Sequence, residues 1–155
     1  MVSSGIYVDA NLLVLLVVGL TGKGLIAKHR RLREYTVDDY DLLYRFLKRS
    51  RQVFVTPNTV TEASNLLAYH GEPERSALMN ALGKLIEESP ETVIPSKEAS
   101  SDSRFIRLGL TDAALLQAVS PTTPLLTVDL DLFLAASAQS SEAAINFNHL
   151  RFAGA

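Results

Sequence analysis

The chain has 155 residues, 47% of them hydrophobic and 21% charged, and a formal charge of −2. This composition is ordinary for a globular chain, does not suggest disorder, and suits one domain, residues 1–155, with a sizeable buried core. It has no cysteine, which excludes disulfides and thiolate metal sites and fits a reducing, cytoplasmic setting.

Along the chain, residues 6–8 read as a short buried strand that leads directly into Asp9. The apolar run at 12–18 is broken by Gly19, Gly22 and Gly24. It is shorter than the roughly 20 residues needed to span a bilayer. No basic segment precedes it, so it is expected to be a buried core helix rather than a secretory signal or membrane span. A loop is expected at 19–24, then a helix over 25–33 with one small apolar face. Thr36 is an N-cap candidate, with Asp38 and Asp39 in the first turn and Leu42, Leu43, Phe46 and Leu47 at helical spacing. Residues 53–55 form a second β-rich run. Thr56-Pro57 then opens a helix with Val60, Ala63, Leu66 and Leu67 as its buried stripe and Glu62 on the flank.

A further amphipathic helix is predicted from about 74 to 88, and a third strand at 92–94, closed by Pro95. The serine-rich residues 96–103 read as a loop or helix start. A short helical stretch stops at Gly109, and Thr111 is expected to cap a helix over 112–119. Residues 125–128 make a fourth strand, Asp129 to Asp131 lead into a helix over 132–139, and 144–147 could add an edge strand. Alternating strands and helices argue for an α/β fold, a mostly parallel sheet of four to five strands with helices on both faces.

Charge is unevenly distributed. Residues 1–51 hold nine Lys/Arg against five Asp/Glu, and residues 52–155 hold six against twelve. The positive charge falls in two clusters, Lys28, His29, Arg30, Arg31 and Arg33, then Arg45, Lys48, Arg49 and Arg51. Such clusters could hold phosphate, or could equally be solvated helical faces. Lys28, Arg30, Arg31, Arg33, Lys48 and Arg49 are the candidates for nucleic-acid contact.

Four carboxylates, Asp9, Glu62, Asp112 and Asp129, each follow an apolar run or a capping residue. A doubly wound sheet gathers such positions at one edge. Acids brought together repel one another, and a divalent cation relieves the repulsion. Metal-assisted phosphodiester hydrolysis with Mg²⁺ or Mn²⁺ is therefore the leading expectation. Each acid also has a structural reading. Asp9 could be a turn or N-cap residue, Glu62 a solvated helix position, Asp112 a helix-dipole partner, and Asp129 and Asp131 caps. The stretch Gly19-Leu-Thr-Gly22-Lys23-Gly24 fails as a phosphate loop, since Val17 and Gly24 stand where a glycine and a hydroxyl belong. Asp129-Leu-Asp131 matches the start of aspartyl-phosphate phosphatases but comes too late in the chain.

With these motifs in order, from Tyr7-Val-Asp9-Ala-Asn11 through Thr127-Val-Asp129-Leu-Asp131 to Ile145-Asn-Phe147, the chain resembles the PIN-domain family of metal-dependent ribonucleases, which includes VapC-type toxins. The resemblance implies a PIN-like three-layer sandwich with an acidic pocket at the carboxyl ends of the strands. It implies that Asp9, Glu62, Asp112 and Asp129 bind the metal, that Asp131 is an auxiliary acid, and that Asn11 and Thr127 are polar groups beside the site. It further implies RNA as substrate, a homodimer, and a cognate antitoxin partner. Ala10 departs from the Thr or Ser of many relatives, and Leu132 separates Asp131 from Phe133. The competing expectation is a non-catalytic module of the same fold that binds RNA or protein.

Overall fold

In the computed structural model, which describes residues 4–50 and 52–153, Ile6–Val8 forms the central strand β1. Val53–Phe54 (β2), Leu125–Thr127 (β3) and Ala144–Asn146 (β4) complete a sheet in the order β2-β1-β3-β4. All three pairings are parallel. The sheet therefore has four strands among the described residues, and the edge strand expected near 144–147 is present. Arg51, one of the second basic cluster, lies outside the described residues.

Alternation along β1 separates two cores. Ile6 and Val8 join a large apolar cluster with Leu126 of β3, whereas Tyr7 packs on the opposite face with Leu125. The large cluster is built on α1 (Ala10–Thr21), α2 (Val37–Arg49), α3 (Pro57–Leu67) and α4 (Glu74–Glu88). The other face is covered by α7 (Leu110–Ala118) and α8 (Leu130–Gln139), through Leu115, Leu116, Leu132, Ala135 and Ala136. Two short helices, α5 (Ser96–Ser100) and α6 (Phe105–Leu108), bring Ala99 and Phe105 against Ala113 and Ala114 of α7. Helices on both faces of a parallel sheet make a three-layer α/β sandwich. The chain ends in α9 (Phe147–Phe152), whose Arg151 pairs with Asp39 of α2 at 3.0 Å.

Helix α1 is buried on every side from Leu12 to Gly19, as its unbroken apolar sequence requires. No helix of the described residues is long and apolar enough to cross a membrane. The α2 start is a full capping box, in which Thr36 accepts from the Asp39 amide and Asp39 accepts from the Thr36 amide. Thr56 caps α3, with Pro57 at its first position.

The sequence expectation differs at five places. Gly19 is inside α1 rather than in a loop. Residues 25–33 do not form an α-helix. Two 3₁₀ segments, Lys23–Lys28 and Arg30–Leu32, are separated by His29 in an extended conformation. His29 is buried, and its Nδ1 accepts from the Arg31 amide, which holds the break. Residues 92–94 are not a strand, and only the Val55 to Glu91 bridge extends the sheet beyond β2. The α7 helix begins beside Gly109, with φ +89°, and Thr111 is already in its first turn. Phe147 begins α9 instead of ending β4.

Candidate active site

The order β2-β1-β3-β4 makes the chain reverse direction across the sheet between β1 and β3, where ligands of doubly wound folds bind at the strands' carboxyl ends. Val8 is in register with Leu126, so the next residues of the two strands, Asp9 and Thr127, lie side by side. Asp9 is buried, and both of its oxygens are engaged. Oδ1 accepts from the Leu12 amide at 3.0 Å and so caps α1; Oδ2 accepts from the Thr127 hydroxyl and from the Val128 amide at 3.1 Å. The Thr127 oxygen in turn accepts from the Asp129 amide at 3.0 Å. One hydroxyl thus fixes the spacing between two carboxylates. Asp129 caps α8 through a 3.1 Å bond from Leu132 to Oδ1. The capping and cleft readings of Asp9 and Asp129 therefore hold together.

Glu62 comes from α3, which starts just after β2, and Asp112 from the first turn of α7. All four acids line one open cleft of about 510 Å³ together with Asn11. Asp131 is exposed in the first turn of α8 and does not line the cleft. Thr127 is fully buried and acts from behind Asp9. Burial pushes the Asp112 carboxyl up to about 7, reinforced by the negative charges of Asp129, Glu62 and Asp9. Burial likewise raises Asp9, with Asp129 adding to the rise, against the opposing hydrogen bonds from Thr127, Leu12 and Val128.

A second cleft of about 650 Å³ adjoins the first, and Arg31, Leu66 and Tyr69 line both. Its cations are Lys28, Arg30, Arg31 and Arg33, of which Lys28, Arg30 and Arg31 precede the buried Leu32 and Arg33 follows it. Lys48 and Arg49, at the end of α2, line neither cleft. Lys48 instead lies over the Tyr44 ring at 5.4 Å. Sequence reading missed Asn65 and Tyr69 at the cleft. The signal was available: Glu62, Asn65, Leu66 and Tyr69 are spaced i, i+3, i+4 and i+7, one face of α3 carried on into the turn that follows it.

Among the described residues no three acidic or imidazole groups converge as a ready-made ligand set. The acids stand around the cleft, and after burial their mutual repulsion adds to the rise at Asp112. Mg²⁺ and Mn²⁺ suit such a donor set. They prefer oxygen, keep several of their waters, and bind through one or two carboxylates plus substrate phosphate.

No family model and no curated relative matches the chain. Among solved structures, the crystal structure of PAE2754 from Pyrobaculum aerophilum is similar over 98% of each chain, with a TM-score of 0.51 and 22% sequence identity. That likeness establishes the fold class, a three-layer α/β arrangement.

Proposed function

We propose that this protein is a metal-dependent endoribonuclease of the PIN-domain kind, cleaving RNA phosphodiester bonds with Mg²⁺ or Mn²⁺. The observation that carries the reading is the meeting of Asp9, Glu62, Asp112 and Asp129, from four separate segments of the chain, around one cleft. Asp9 and Asp129, locked together through Thr127, would hold the ion, and Glu62 and Asp112 would complete its surroundings. When bound, the metal lowers the pKa of a water and offsets charge on the phosphoryl oxygens. In the metal-free cleft, burial, with the neighbouring acids, holds the Asp112 carboxyl up at about 7, and a cation seated among the acids would draw off that proton and leave a carboxylate to complete the set. The neighbouring cations Arg31, Lys28, Arg30 and Arg33 offer phosphate contacts that would hold the RNA backbone against an otherwise repulsive acidic rim.

The test is cleavage of RNA in Mn²⁺, with and without chelator. Asp112→Asn should lower the single-turnover rate by about 100-fold or more, and chelator should abolish it for the parent protein. An unchanged rate in either arm removes the assignment. On the sequence resemblance, the proposal extends to a cytoplasmic toxin that dimerises and is neutralised by a small antitoxin. Induced expression should then arrest growth, and Asp112→Asn should relieve the arrest; arrest by both forms would sever toxicity from the cleft.

A further inference from the structure

The junction of the two clefts holds an aromatic ring with no internal role. Of the five tyrosines, Tyr7 packs on Phe54 and hydrogen-bonds Thr92, Tyr35 lies under Arg151, and Tyr40 and Tyr44 pack on each other. Tyr69 is 82% exposed and makes no ring or cation contact among the described residues. It sits just past the end of α3, on the rim shared by the acidic and basic clefts. Next to it, His70 lines the basic cleft and is stacked on buried His29, with ring centroids 5.7 Å apart and planes 18° from parallel. The cleft's cations, Lys28, Arg30, Arg31 and Arg33, are in no ion pair among the described residues, whose three pairs lie elsewhere. Unpaired positive charge beside an exposed aromatic face is the chemistry that binds single-stranded nucleic acid, with phosphates on the cations and a base on the ring.

We propose that Tyr69 is the platform on which one base of a bound RNA strand stacks as the strand passes from the basic cleft into the acidic one. A base within a duplex has both faces covered by its neighbours, so only an unstacked base can meet the ring. Arg31, which lines both clefts, contacts the phosphate nearest the acids. The proposal rests on the ribonuclease reading for its choice of RNA and of the single strand, and adds the residue on which a base is held.

The experiment measures binding in EDTA, so that no cleavage intervenes. The probe is an end-labelled RNA of about 12 nucleotides, alone or annealed to its complement, followed by fluorescence anisotropy. The single strand should bind at least about tenfold more tightly than the duplex, and Tyr69→Ala should weaken it roughly tenfold, while Tyr69→Phe stays within about twofold. The chain has no tryptophan, so Tyr69→Trp supplies a single emitter that stacking should quench. Equal binding of strand and duplex, parental affinity in Tyr69→Ala, or unquenched emission with the strand bound would each overturn the proposal. Parental cleavage of RNA alongside any of these results leaves the nuclease reading standing. The binding pattern without cleavage leaves strand recognition standing and removes the nuclease.

Discussion

Asp112 shows what burial, and after it the charges of three neighbouring acids, does to a carboxyl at the cleft. Its carboxyl titrates at about 7 in the folded chain, well above an unfolded aspartate near 3.8. A group whose folded pKa is raised holds its proton more tightly when folded. Protonation therefore favours the fold fully below the unfolded value, and that contribution is lost as pH rises through about 7. In chelator, the thermal midpoint of the parent protein should fall relative to Asp112→Asn between about pH 4 and about pH 7. The side chain is partly exposed, so solvent screening holds the difference to about 1 kcal/mol, or roughly 2–4 °C. Parallel curves for the two proteins would show that the charge is not strained. Asp9 and Asp129 were legible in the sequence because each closely follows a parallel strand, whereas Glu62 and Asp112 stand on α3 and α7 and were legible only through the helix starts before them. The part played by Thr127 was not, because it depends on the register of β1 against β3. Asp131 has the same local sequence credentials as Asp129, yet two residues further on the helix turns it away from the cleft.

Helix boundaries follow the same division between local chemistry and tertiary contact. The starts of α2 and α3 were readable because Thr36 with Asp39, and Thr56 with Pro57, satisfy helix amides from within a few residues. Gly19 misled because glycine is a helix breaker by propensity, while here it makes room for a neighbour. A Cβ at this position would overlap the ring of Tyr40, which is buried and packed against Tyr44. The 3₁₀ break at His29 also has a distant partner, His70, against which its ring stacks, whereas 92–94 fails to pair for local reasons. His29 is buried, and residue 93, a valine, is 64% exposed with Pro95 close behind. Two glycine substitutions separate propensity from packing. Gly83, in α4, has nothing within 4 Å of the point an alanine methyl would occupy, so Gly83→Ala should stabilise by about 0.5–1 kcal/mol. Gly19→Ala gains the same propensity but must displace Tyr40, and should destabilise by about 1–3 kcal/mol. Urea unfolding of both variants reads the difference, and a stabilised Gly19→Ala would mean that the two helices do not meet as closely as described.

The small net charge conceals two fields of opposite sign in contact. The acidic cleft repels a polyanion and the basic cleft attracts it, so under the proposed reading the cations must outweigh the acids along the strand's path. Sequence clustering identified both positive regions, but only the fold distinguishes them, since 3₁₀ segments bring Lys28, Arg30 and Arg33 beside Tyr69 while α2 carries Lys48 and Arg49 away from either cleft. Counterion release makes that distinction measurable. Each phosphate neutralised on a single strand contributes about 0.7 to the slope of log affinity against log salt. Replacing Lys28, Arg30 and Arg33 together by alanine should therefore flatten the slope by roughly 2 and weaken binding at low salt, with cleavage falling in step at subsaturating RNA. Replacing Lys48 and Arg49 by alanine should leave the slope within about 0.5 of the parent. If the second pair flattens the slope as much as the first triplet, the strand runs over α2 instead, and the cleft shared with the acids is not its route.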